Sequence, residues 1–355
     1  LKEIKGRINS ISSTLAITSA MKMVAAAKLQ KAQMAIQNML PYERRLYSML
    51  VDLMGAMNIS AAASEDGSVR GSGSAERGFD QSGDRLSLSN RHDLAGMDGA
   101  YSLMAQREVR KVAIVAFASN SSLCGAFNSN AIREATAVIN EYRASGLRDS
   151  DIVVYSVGRK MAEAMRKLGF PSPADFTKMS DSPSYEAASA LAQELLDGFV
   201  SGRFDKVELV YNHYKSTSSQ PTTRQTYLPL SLADATADLQ AGKIADSASE
   251  SDTNRGAEPV GAPVVRQGSP TTEDLIVEPS KETLIATLLP KVIRLRIFTT
   301  LLDSAAAEHA ARTVAMQLAT DNGNDLLQEL TLEYNKGRQQ KITSEILDIV
   351  GGSLQ

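Results

Sequence analysis

The strongest constraint on this chain is a run of positions spaced alternately four and three residues apart: Ile4, Ile8, Ile11, Leu15, Thr18, Lys22, Ala25, Leu29, Ala32, Ile36 and Met39. That spacing is the a/d seam of a coiled coil over about five heptads, and a strict seven-residue repeat requires left-handed supercoiling around a partner helix. Lys22 is the one charged residue in the seam, and Ala25, Ala26 and Ala27 just beyond it allow a partner backbone to approach closely. Pro41 lacks a donor and clashes with the preceding turn, so it is expected to end or kink the helix, which Tyr42 to Met57 can resume. The pattern is already running at Leu1, so a few residues are expected ahead of it.

The partner is expected at the far end. Pro290 can open a helix, and no proline follows from Lys291 to Val350. At ~1.5 Å per residue that stretch is roughly 90 Å long. Its apolar residues group at Val314 and Leu318, then Leu326, Leu330 and Tyr334, then Ile342, Ile346 and Val350. The drift between groups predicts stutters rather than one heptad series. Gly323 and Gly337 each cost about 1 kcal/mol relative to Ala without breaking so long a helix. Only 5% of the chain is aromatic and Trp is absent, which is low for a large globular core and in keeping with long Ala- and Met-rich helices.

The middle follows another pattern. Val112 to Phe117, Ile152 to Val157 and Val207 to Tyr211 are short β-rich runs, nearly continuous in apolar character. Strands of that kind are buried on both faces, as in a parallel sheet. Helical stretches separate them at Ser129 to Arg143, Lys160 to Leu168 and Tyr185 to Phe199. Tyr227 to Leu230 reads as an edge strand, because Pro229 is excluded from a central one. The predicted fold class is α/β: a long antiparallel coiled coil of N- and C-terminal helices plus a central Rossmann-like α/β domain with a mostly parallel sheet. Residues 1–58 form the first helix, 108–232 the central domain and 276–355 the last helix. Residues 59–107 and 233–275, rich in Ser, Gly and Asp, read as low-complexity inserts.

Familiar catalytic chemistry is missing. The loop from Ser119 to Asn128, where a dinucleotide fold carries its glycine fingerprint, holds one glycine. Val157-Gly158-Arg159-Lys160 is not a phosphate loop either. His92, His213 and His309 lack metal spacing. Cys124, the only cysteine, reads as a buried loop residue rather than a nucleophile, and its solitude fits a reducing compartment. No Gly-x-Ser-x-Gly elbow occurs. No catalytic, cofactor-binding or metal-binding residues are assigned. A net charge of -3 makes no electrostatic case for nucleic acid, and no apolar run approaches the ~20 residues of a membrane helix.

The two ends carry a specific resemblance. Ile17-Thr18-Ser19-Ala20-Met21-Lys22-Met23-Val24-Ala25-Ala26-Ala27-Lys28-Leu29 resembles the N-terminal signature of the gamma subunit of F-type ATP synthases. Glu308-His309-Ala310-Ala311-Arg312, Ala319-Thr320-Asp321-Asn322, Glu329 to Lys336, Arg338-Gln339, Ile342-Thr343 and Glu345-Ile346 resemble its C-terminal motif, and Leu123 to Asn128 its central-domain loop. The resemblance spans most of the chain outside the inserts. It implies a central-stalk rotor, itself non-catalytic, that couples ion-driven ring rotation to ATP synthesis in the beta subunits. The implied partners are three alpha and three beta subunits, the epsilon subunit and the c-ring. The implied location is the cytoplasmic side of a bacterial inner membrane, peripheral and through the complex, with no nucleic acid and no cofactor.

The family's contact residues carry over by motif. Lys22 and Met23 fall where the N-terminal helix faces an acidic lever loop of beta. Arg338, Gln339 and Thr343 fall where the C-terminal helix meets the beta catch loops. Ile346, Leu347, Ile349 and Val350 fall in the apolar sleeve at the top of the ring. Charge supports the first assignment: residues 1–58 hold Lys2, Lys5, Arg7, Lys22, Lys28, Lys31, Arg44 and Arg45 against Glu3, Glu43 and Asp52, and a basic shaft suits acidic loops. On pattern alone Lys22 would read as a solvated lysine, Met21 and Met23 as helix packing, and Arg338 and Gln339 as an ordinary polar face; the motif context reverses the last. Gly337, Gln340 and Lys341 depart from the family pattern, and Gly337 implies a softer shaft at that level. Two rivals predict different features: a dinucleotide enzyme needs a tight glycine loop after Phe117, and a plain coiled-coil scaffold explains none of the C-terminal motif.

Overall fold

The computed structural model describes residues 2–65, 103–104, 106–230, 278 and 280–352. Most of both expected inserts therefore lies outside the described residues. The chain runs α1 (Lys2–Glu65), β1 (Val112–Phe117), α2 (Phe127–Ala144), a short 3-10 turn (Asp149–Asp151), β2 (Ile152–Val157), α3 (Arg159–Lys167), α4 (Thr177–Asp181), α5 (Tyr185–Val200), β3 (Lys206–Asn212), β4 (Thr222–Leu228) and α6 (Lys281–Gly352).

The sheet order is β2-β1-β3-β4. β1 pairs in parallel with both neighbours, Val112 lying opposite Ile152 and Lys206, and β4 closes the edge antiparallel to β3. Pro229 falls just past β4, so it removes no ladder bond. β1 is buried along its whole length because helices cover both faces. Val112, Ile114 and Ala116 pack with Ala135, Val138 and Ile139 of α2 and Met161 and Met165 of α3. Ala113, Val115 and Phe117 face α5, α6 and the far part of α1, through Leu191, Leu195, Leu289, Ile293 and Leu50. The two long helices are thus one outer layer of the α/β domain before they leave it as a shaft.

Neither proline marks a helix boundary. α1 continues through Pro41, and α6 starts at Lys281, ahead of Pro290. Ser280 caps α6, its hydroxyl accepting from the Thr283 amide at 3.2 Å. An interior proline costs about 3 kcal/mol. Burying Ile285, Leu289, Val292 and Ile293 to 2% exposure or less offsets it, at roughly 2 kcal/mol each.

The eleven α1 seam positions are all buried or half-buried. On α6 the stutter expected between Val314 and Tyr334 is absent. Leu302, Ala306, His309, Thr313, Met316, Thr320, Gly323, Leu327, Leu330, Tyr334 and Gly337 form an unbroken heptad seam of buried and half-buried positions. Leu318 and Leu326 face outward, 58% and 45% exposed. Threonine fits such a seam because its hydroxyl bonds back into its own helix: Thr313 Oγ1 donates to His309 O at 2.8 Å and Thr320 Oγ1 to Met316 O at 2.8 Å. The helices run antiparallel. A Cβ on Gly323 would stand 2.6 Å from Leu15 Cδ2, and the Thr18 and Thr320 hydroxyls are 3.5 Å apart.

Candidate partner-contact surface

In open α/β sheets ligands bind beyond the carboxyl ends of the strands. Here that edge holds the chain's own shaft. The turns after β1 and β3, neighbours in the sheet, both reach α6. After β1, Leu123 and Gly125 take the left-handed conformation (φ 69° and 57°), and the turn lays Cys124 and Phe127 against Ala307 and Ala311. Arg312 donates to Ser122 O at 2.8 Å and pairs with Glu308 at 2.6 Å. Burial raises the pKa of Glu308, and Arg312 opposes that rise.

After β3, Asp303 of α6 accepts from the Tyr214 amide at 2.9 Å and lies 2.6 Å from His213 Nδ1, which raises the His213 pKa. The Tyr214 hydroxyl accepts from Gln33 of α1 at 2.6 Å. One residue therefore bonds to both helices of the shaft, Tyr214 through its amide to Asp303 and through its hydroxyl to Gln33.

Other polar groups along the edge bond to one another. Asn120 donates to Thr177 O at 2.7 Å and accepts from the Arg159 amide at 2.8 Å, and Ser180 donates to Ala118 O at 3.0 Å. Gly158 (φ 96°) passes so near that a Cβ would stand 2.0 Å from Ala118 O, so only glycine fits. Cys124 is 1% exposed and accepts from Asn128 Nδ2 at 3.1 Å, consistent with the buried-loop reading.

His309 sits in the α6 seam with Nδ1 buried and unpartnered. Burial, then Lys28 and Arg312, push its pKa down to about 4. His92 lies outside the described residues. Among the described residues no cluster of His, Cys, Asp or Glu is arranged for a metal, and no helix is long and apolar enough to cross a membrane.

The sequence-predicted contact residues lie along the shaft in two groups. Lys22 is half-buried in the α1 seam, while Met23 beside it is 64% exposed. Arg338, Gln339 and Thr343 are exposed on α6, and Thr343 Oγ1 donates to Gln339 O at 2.9 Å. Gln339, Thr343 and Leu347 line one shallow groove with Lys336, Gln340 and Ser344. The helix register sets Lys22 near Met316, so the two groups stand about 33 Å apart along the axis. Ile346, Leu347 and Ile349 are exposed (54%, 65% and 72%); the Val350 side chain lies outside the described residues. Sequence reasoning missed a second set of outward apolar residues: Ile17, Val24, Met34, Leu318, Leu326 and Leu332. On α1 the signal was available, since Ile17, Val24 and Met34 fall outside its a/d positions. On α6 it is hidden, because apolar spacing groups Leu318 with Val314 and Leu326 with Leu330 and Tyr334.

Comparison with known proteins follows the same outline. The ATP synthase family model matches residues 1–354. The ATP synthase gamma chain of Phocaeicola vulgatus is 46% identical over 354 residues, covering 100% of this chain and 99% of its own. That of Bacteroides thetaiotaomicron is 44% identical over 355 residues, with the same coverage. Among solved structures, the rotor of the Euglena gracilis mitochondrial ATP synthase aligns with a TM-score of 0.51 at 18% identity, covering 96% of this chain and 98% of its own. That last likeness concerns the fold.

Proposed function

The chain belongs to the ATP synthase gamma-chain family, and from that premise we propose that it is the central-stalk rotor of an F-type ATP synthase. Its coiled coil stands on the axis of a ring of three alpha and three beta subunits. Its α/β domain, with the epsilon subunit, rests on the membrane ring of c subunits. Ion flow turns that ring and the shaft with it, and the asymmetric shaft drives each beta site in turn through binding, synthesis and release of ATP. The chain itself is not catalytic; the complex makes or hydrolyses ATP. It is peripheral to a bacterial inner membrane, on the cytoplasmic side, and reaches the membrane through its partners.

The observation that carries this reading is the far end of α6, apolar yet exposed through Ile342, Ile346, Leu347 and Ile349. Apolar contacts are nondirectional and permit sliding, as a bearing requires. Ile346, Leu347, Ile349 and Val350 are assigned to that sleeve, Arg338, Gln339 and Thr343 to the beta catch loops, and Lys22 and Met23 to the acidic lever loop. Exposed ion pairs contribute about 0–1 kcal/mol each, weak enough to break and re-form at every step.

An electron-microscopy map of the complex purified through this chain tests the proposal. Density for α1 and α6 on the axis of an alpha–beta ring is expected. A ring that assembles with an empty axis refutes it.

A further inference from the structure

The joint between the α/β domain and the shaft combines two kinds of contact. Its middle is smooth and apolar. Ala307 and Ala311 lie against Cys124, Phe127 and Tyr214, and Ala306 and Ala310 pack with Leu29 of α1. Small side chains raise no ridges to interlock, so such a surface opposes separation better than it opposes turning. The directional contacts sit around it. Asp303 holds the His213–Tyr214 turn at 2.6 and 2.9 Å, and Arg312 holds Ser122 O at 2.8 Å. At 3.6 residues per turn, Asp303 and Arg312 project from α6 roughly 180° apart, with Ala307 and Ala311 on the arc between them. The bond from Gln33 to Tyr214 ties in α1 at 2.6 Å.

We propose that Asp303, Arg312 and Tyr214 are positioning residues that fix the angle of the shaft relative to the α/β domain, so that torque passes between the two at this level. Two directional bonds on opposite sides of a helix oppose rotation about its axis as a couple, which apolar contact between alanines cannot do. Arg312 suits the role because its pairing with Glu308 is buried, and a hydrogen-bonded group in low dielectric is held stiffly. The proposal rests on the rotor reading, which fails separately if the unmodified chain is missing from the axis of the ring.

The test uses the assembled complex with the ring immobilised, the shaft stalled by a non-hydrolysable ATP analogue, and an optical probe on the α/β domain. The angular variance of the probe reports the compliance of the joint. In an Asp303→Ala, Tyr214→Phe chain the variance is expected to rise about twofold, since two of the three directional fixings at this level are gone, while Arg312 and the lower bonds from Tyr227 to Ile293 O and from Arg294 to Gln193 remain. ATP hydrolysis stays within about twofold of the unmodified complex, because the beta-contact residues are untouched. Wild-type variance in that assembled complex overturns the proposal and leaves these residues a purely structural role. If the double variant does not assemble, Tyr214→Phe alone serves, because it removes one hydroxyl and leaves the ring in place. There a rise of about 1.2-fold is expected, and wild-type variance again overturns the proposal.

Discussion

Two parts of the same helix behave in opposite ways. From Ile285 to about Met316, the inward face of α6 is enclosed: Leu289, Val292, Ile297, Ala306, Ala307 and Ala310 are 0% exposed. From Arg338 to Ile349, comparable apolar residues are open to solvent, Ile342 at 48% and Ile349 at 72%. Composition does not separate the two; what lies opposite does. The first part meets a sheet face, α5 and α1, whereas α1 in its described extent reaches only about the level of Lys336. The lower part is stabilised by the chain itself, and the far end presents surface for something outside it.

The sharpest way to break that contrast is in the lower part. Leu289→Ala deletes a fully buried side chain between the sheet and α5 and leaves a cavity. A loss of about 2–5 kcal/mol in chemical denaturation of the full chain is expected. A loss under about 1 kcal/mol would mean that this layer is loosely packed and the contrast overstated.

The seam between the two parts gives a smaller effect. Gly323→Val forces new atoms onto Leu15, whose Cδ2 lies 2.6 Å from where a Cβ would stand. A cost of about 1–3 kcal/mol is expected. Combining it with Leu15→Ala should recover part of that cost, an interaction energy that a double-mutant cycle measures. Additive effects would mean that the two helices do not meet at this register.

This position also marks where the sequence stopped being readable. The α1 seam was legible because Ile and Leu fill most of it. The α6 seam is equally regular, but His309, Thr313, Thr320, Gly323 and Gly337 occupy it. Hydropathy passes over such residues and favours Leu318 and Leu326, which face outward. The parallel strands were legible because burial on both faces makes them continuously apolar. The start of α6 was not, since Pro290 resembles a first-turn residue and only tertiary burial outweighs its cost. The proposed partner-contact residues rest on motif resemblance, and periodicity alone would not select them. The grip of the carboxyl edge on the shaft was invisible, because it joins residues such as Gln33 and Tyr214 that are far apart in sequence.

His309 gives a smaller, pH-dependent effect. Its pKa falls from 6.5 to about 4 on folding, so the fold favours the neutral ring. That contribution is fully present above pH 6.5 and is lost as pH falls toward 4. The difference in stability between the unmodified chain and His309→Gln should shrink by about 1 kcal/mol over that window, a figure discounted for partial exposure. A difference independent of pH would mean that the ring is solvated and the seam open at this level.

The smallest expected effect is at the far end, and it decides what that end is for. Ile346→Ser with Leu347→Ser removes apolar surface that is already 54% and 65% exposed. Little burial is lost, and serine lowers helix propensity by only a few tenths of a kcal/mol per residue. Denaturation of the isolated chain should therefore move by less than about 1 kcal/mol. If the proposed apolar sleeve encloses this end in the assembled complex, the same two changes put hydroxyls against it, and axial density for the end of α6 should weaken while the lower shaft stays in place. The two measurements answer separate questions. A large loss of stability in the isolated chain would show that this end packs against its own chain, and the contrast between the two parts of α6 would disappear. A small loss with axial density unchanged would keep the contrast and remove the sleeve assignment, leaving the exposed apolar surface to a different partner.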